Sequence, residues 1–95
     1  MTYEIILNKI AQKQMRKLKS MNGAVRSNIQ YILKDISVEP FAKRDGFELL
    51  KKTNPGCCSR RVDRGNRVVY QVNVEKHIIV VRSVLGHYSD NGGLI

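Results

Sequence analysis

The sequence predicts an α+β fold: a small twisted antiparallel sheet with an N-terminal helical hairpin packed on one face. Three observations lead there. A short β-branched segment opens the chain, two segments of helical periodicity follow with almost no linker, and short strand-like segments joined by turns fill the second half. Ninety-five residues give room for one modest core, so residues 1–95 read as a single domain. With 42% hydrophobic and 26% charged residues the composition suits a folded chain and argues against disorder.

Tyr3–Leu7 is apolar and β-branched and reads as the first strand. Asn8 offers a side-chain oxygen as N-cap of a helix over about Lys9–Met21, whose Ala11, Met15 and Leu18 form a narrow apolar stripe. Lys9, Lys13, Arg16, Lys17 and Lys19 cover the rest, either a solvated face or an extension of an RNA-binding surface. Asn22-Gly23 ends this helix, with Gly23 expected in the left-handed conformation. A second helix over about Ala24–Ile36 carries the wider apolar face of Val25, Ile29, Ile32, Leu33 and Ile36, and Pro40 closes the helical part.

Phe41–Asp45 reads as a loop, Gly46 as a sharp change of direction, and Phe47–Lys51 as a short strand. Asn54-Pro55-Gly56 is a turn signal. Strands follow at about Cys57–Val62, Arg67–Val74 and His77–Leu85. In the middle one Val68, Tyr70, Val72 and Val74 share one face, and Arg67, Val69, Gln71 and Asn73 the other. Short links demand antiparallel neighbours, and the first strand is expected in the same sheet. Ser89–Ile95, containing Gly92-Gly93, reads as a flexible tail.

The net charge of +9 and pI of about 10.0 call for a polyanionic partner, nucleic acid or an acidic protein. The sequence has no apolar run of membrane-spanning length, and its first residues meet charge too soon for a signal peptide. A cytoplasmic protein without membrane contact is the expectation. Adjacent Cys57 and Cys58 cannot easily meet disulfide geometry and read as small semi-buried strand residues in a reducing compartment. No metal-ligand spacing or cofactor motif is present, so neither metal nor cofactor is expected.

Charge concentrates between Ser59 and Tyr70, where Arg60, Arg61, Arg64 and Arg67 flank the Gly65-Asn66 turn of an expected hairpin. Guanidiniums on a stiff hairpin can meet phosphates in fixed geometry, although a solvated basic face fits the same pattern. RNA cleavage by a ribose 2′-hydroxyl needs a base, an acid and cations around the phosphorane, and no metal. Glu48 is the candidate base and His87 the candidate acid. Arg61 and Arg67 can hold the phosphate with Lys51 and Arg60 assisting, and Tyr88 can stack on a base or orient the phosphate. The competing reading makes Glu48 a salt-bridge partner and His87 a bystander, in a non-catalytic module that binds RNA or an acidic protein.

Ser59-Arg60-Arg61, Asn66-Arg67-Val68-Val69-Tyr70 and Gly86-His87-Tyr88 resemble the YoeB/Txe branch of the RelE-like toxins, as do Pro40-Phe41 and Glu48-Leu49-Leu50-Lys51 upstream. The resemblance spans roughly Pro40 to Tyr88; before it only the layout of one strand and two helices agrees. It implies a RelE-like toxin fold and a toxin that cuts mRNA in the ribosomal A site. By position it makes Glu48 the general base, His87 the general acid, Lys51, Arg61 and Arg67 phosphate contacts, and Tyr88 the terminal tyrosine. Arg60 carries over less directly. The implied partners are the ribosome, mRNA, an acidic antitoxin of YefM/Phd-like type and a second copy of the chain. Two features depart from the pattern: Cys57-Cys58 stand where the family often has an aromatic residue before Ser-Arg-Arg, and seven residues follow Tyr88.

Overall fold

In the computed structural model, which describes residues 2–21, 23–44, 46–50 and 56–86, the chain begins with β1 (Glu4–Leu7). Two helices follow, α1 (Lys9–Met21) and α2 (Gly23–Val38), then β2 (Glu48–Leu49), β3 (Cys57–Arg61), β4 (Arg67–Asn73) and β5 (Ile78–Ser83). The Asn8 side chain accepts a hydrogen bond from the Ala11 N–H at 2.9 Å, the N-cap expected of it. Gly23 departs from expectation. It is the first residue of α2, in right-handed helical backbone, because it begins the second helix instead of ending the first.

The five strands form one sheet in the order β1-β5-β4-β3-β2. Strands β2 to β5 pair antiparallel with their neighbours, as their short connections require. β1 is parallel to β5, with Glu4 opposite Ile78 and Leu7 opposite Val81, so the α+β sheet is mixed at this edge. The short-link argument never reached that pair, since both helices and three strands separate its members in sequence.

Alternation along β4 holds as read. Val68, Tyr70 and Val72 join Ile29, Ile32 and Ile36 of α2 in the main core, while Val69 lies on the opposite face against Leu50 and Cys57. Val74, outside the strand, is exposed. Both cysteines are free and buried, Cys58 within the main core. Burial pushes the Cys58 thiol up to about 11 and raises that of Cys57 too, against the pull of Arg82, so both stay protonated at neutral pH. Their place is in packing, and they are more deeply buried than the semi-buried position expected from the sequence.

Two polar clips fix what the apolar core leaves free to slide. Arg60 of β3 is buried and donates to the Asp35 carboxylate of α2 at 2.8 Å, and Arg44 reaches the same oxygen at 3.2 Å. Buried Tyr70 donates its hydroxyl to the Pro40 carbonyl at 2.7 Å, holding the segment that leads from α2 toward Glu48. Burial opposes the Asp35 charge, but the hydrogen bond from Arg60 outweighs it and keeps this carboxyl below its ordinary range.

Removing one partner of such a pair strands the other charge in the interior. Asp35→Ala should therefore lower the unfolding free energy by roughly 3–5 kcal/mol in denaturant titration. Because the folded-state pKa of Asp35 is depressed, its stabilisation is present above the ordinary value of 3.8 and fades as pH falls through the lower folded value. Acidification across that range should cost the parent chain more stability than it costs Asp35→Asn.

Candidate functional site

The sheet face turned away from the helices collects charge from three strands. The strand register sets Glu48 of β2 opposite Ser59 of β3, and Arg61 of β3 opposite Arg67 of β4. Strand alternation then places Glu48, Ser59, Arg61 and Arg67 together on this face. Two arginines across from one another repel, which makes their shared end a natural seat for an anion.

Arg67 is firmly held. Its Nε donates to the buried Ser59 hydroxyl at 2.9 Å, and its Nη2 donates to the Gly46 carbonyl. The same nitrogen lies 3.8 Å from Glu48 Oε1. The Arg67 side chain is 17% exposed and that of Glu48 64% exposed, so a fixed cation faces a solvated carboxylate. An ion pair so long and so open adds little stability. It matters for where it leaves the two groups, side by side on one surface.

Gly46 supports this corner with its backbone. Its carbonyl also accepts the Arg61 N–H at 3.2 Å, joining the segment before β2 to the ends of β3 and β4. Its φ is +80°, and a Cβ here would stand 2.7 Å from the Cβ of Arg61. Glycine is needed on both counts.

A second anchor lies at the far end of β5. One extra residue bulges from β5 between the Val69–Ser83 and Tyr70–Val81 pairs, and α1 reaches the exit through Gln14 Oε1, which accepts the Val84 N–H at 2.8 Å. The chain then curves back to β4. Gly86 donates its N–H to Asn66 Oδ1 at 2.9 Å and accepts the Arg67 N–H at 3.0 Å. Gly86, which directly precedes His87 in the sequence, is thereby held beside Arg67.

Of the residues singled out from the sequence, Glu48, Arg61 and Arg67 come together. Arg60 does not join them. The pleat turns it to the helix face, where Asp35 occupies it, and it serves the fold as a buried cation. Lys51, His87 and Tyr88 lie outside the described residues, as do tail residues 89–95 and Asn54-Pro55 of the turn. The supporting roles of Ser59, Gly46 and Asn66 escaped sequence reading. For Ser59 a signal existed: two residues before Arg61, it had to share that arginine's face.

A family model described as the YoeB-like toxin of bacterial type II toxin–antitoxin systems matches residues 9–88. The chain belongs to this family. Among solved structures, the YoeB/ParE toxin from Agrobacterium tumefaciens superposes with a TM-score of 0.81 at 21% identity, over 90% of this chain and 99% of that one. The YoeB dimer from Staphylococcus aureus gives 0.80 at 25% identity, over 93% and 100%. The YoeB–YefM complex from the same organism gives 0.76 at 26% identity, again over 93% and 100%. A comparison with curated protein sequences finds no match. The YoeB-like match runs from the start of α1 through Tyr88 and so takes in every residue of the candidate site.

Gly46→Ala in this YoeB-like chain should destabilise by at least about 1–2 kcal/mol from the left-handed backbone alone, with the Arg61 contact adding to it. Gly23→Ala meets nothing within 4 Å of its new Cβ and should instead stabilise, by about 0.5 kcal/mol. Denaturant midpoints of the two variants, measured side by side, check the contrast.

Proposed function

We propose that this toxin is a ribosome-dependent mRNA endoribonuclease that cuts in the ribosomal A site by 2′-hydroxyl attack, without a metal ion, and so inhibits translation. The observation that carries the reading is the meeting of Glu48 and Arg67, 3.8 Å apart on the outer face, with Arg61 alongside and the chain leading to His87 anchored at Gly86.

In this mechanism Glu48 takes the proton from the 2′-hydroxyl of the nucleotide before the scissile bond. The 2′-oxygen attacks phosphorus, and charge gathers on the equatorial phosphorane oxygens. Arg67 is already held by Ser59 and Gly46 and meets that charge with little reorganisation; Arg61 across the strand pair adds a second cation. His87 protonates the leaving 5′-oxygen. The upstream fragment then ends in a 2′,3′-cyclic phosphate and the downstream one begins with a 5′-hydroxyl. Lys51 and Tyr88 serve phosphate binding and base stacking in this reading.

The charge of +9 suits ribosomal RNA and an acidic antitoxin alike. The Staphylococcus aureus relatives are a YoeB dimer and a YoeB–YefM complex, which supports a cognate antitoxin and a homodimer for this chain as well. Among the described residues no helix is long and apolar enough to cross a membrane, in keeping with action at cytoplasmic ribosomes. The rival, a non-catalytic basic binding module, draws on the same Glu48–Arg67 ion pair as a mere salt bridge.

Single-turnover cleavage on programmed ribosomes separates the two. Glu48→Gln and His87→Ala should each slow the cut by roughly 10²–10⁴-fold while ribosome affinity holds. Parental rates in both variants would leave the binding module as the better account. Arg61→Ala should weaken ribosome binding and flatten its salt dependence, because fewer counterions are released. Arg60→Ala should show itself first as lost stability.

A further inference from the structure

Asn66 does more than close its hairpin. Asp63 accepts two hydrogen bonds from Asn66 Nδ2, at 3.0 and 3.2 Å, and a third from the Gly65 N–H at 3.0 Å. The N–H groups of Val62 and Asp63 both point to the Asn66 carbonyl, at 2.9 and 3.3 Å. These bonds complete the turn by themselves. The remaining polar atom of the side chain, Oδ1, reaches out of the loop to the N–H of Gly86, twenty residues away. Only one orientation of the amide fits. Flipped, it would aim its oxygen at a carboxylate and its NH₂ at an N–H donor.

Gly86 is held from both sides, by Asn66 through its N–H and by Arg67 through its carbonyl. Its φ of +86° is one that side-chain-bearing residues adopt at a cost. Position and direction of the chain are thus set at the residue before the proton donor. Proton transfer demands such placement, since an error of about 1 Å can cost on the order of 10²-fold in rate.

We propose that Asn66, oriented by Asp63, is a positioning residue for the cleavage reaction, fixing beside Arg67 the Gly86 to which His87 is covalently joined. This rests on the reading of His87 as the acid. Asp63 orients the amide, the amide holds Gly86, and Gly86 is the residue from which the histidine's backbone continues. Turn closure alone would need no contact with Gly86, and that contact separates this role from a structural one.

A double-mutant cycle on programmed ribosomes tests it. Asn66→Ala should slow single-turnover cleavage by about 10–100-fold with ribosome affinity unchanged. On top of His87→Ala the same change should cost less than about threefold, because the group it positions is gone. Equal slowing in both backgrounds, or none in the parent, overturns the inference while leaving His87 as the acid. A His87→Ala variant as fast as the parent overturns the acid itself and the inference with it. Should Asn66→Ala fail to fold, Asn66→Asp keeps the side-chain volume but sets two carboxylates against each other. It should be slow, and adding Asp63→Asn should bring the rate back to within about threefold by exchanging the pair's donor and acceptor. Failure of that exchange to restore the rate likewise counts against the inference.

Discussion

The pleat of β3 sends Arg60 toward α2 and Arg61 toward the outer face, and the rest of the arrangement depends on that division. A buried guanidinium needs a partner, and Asp35 supplies it at 2.8 Å from the last turns of α2. The bond fixes where the helical hairpin sits on the sheet, a matter that apolar contacts alone leave loosely determined. With the tie from Tyr70 to Pro40, it also sets the path by which the chain arrives at Gly46 and Glu48. Each arginine of the Ser-Arg-Arg motif therefore does a different job. One holds the scaffold, and the other stands across from Arg67 on the outer face.

On the outer face Arg67 is seated by the fold itself. Arg67 is held by Ser59 and Gly46 on a strand within the sheet, which lowers the ordering required when a phosphate binds. Glu48 stands at the sheet's edge on a two-residue strand and stays open to solvent. A fixed cation thus stands beside a solvated carboxylate, the arrangement on which the proposed cleavage draws. Two arginines opposite one another on this face also suit the carboxylates of an antitoxin.

Local signals in the sequence were read well, and long-range ones were not. The Asn8 cap, the two apolar helix faces and the alternation of β4 follow from spacing within a few residues, and the structure shows all three. Glu48, Arg61 and Arg67 were legible as residue types, and the motif resemblance assigned them roles. Arg60 was grouped with them because nothing nearby in sequence reveals Asp35, twenty-five positions away. The parallel β1–β5 pair and the Pro40 carbonyl bound by Tyr70 were hidden for the same reason. The glycines teach a related lesson. Gly46 was marked as a sharp change of direction and is one, whereas Gly23 carried the same residue signal in a backbone that did not need it. The departure at Cys57-Cys58 resolves into packing, with Cys58 in the main core and Cys57 under Leu50 and Val69.

The proposed cleavage turns on the 2′-hydroxyl of one nucleotide as the nucleophile, with the chain's own side chains moving the protons. The direct measurement replaces that nucleotide, in an mRNA positioned in the A site, by its 2′-deoxy form and compares cleavage and fragment ends with the all-ribose message. The account predicts that the deoxy message stays uncut at that bond, and that the ribose message yields an upstream 2′,3′-cyclic phosphate and a downstream 5′-hydroxyl. Cleavage of the deoxy message at the ribose rate, or an upstream fragment ending in a free 3′-hydroxyl, would contradict it.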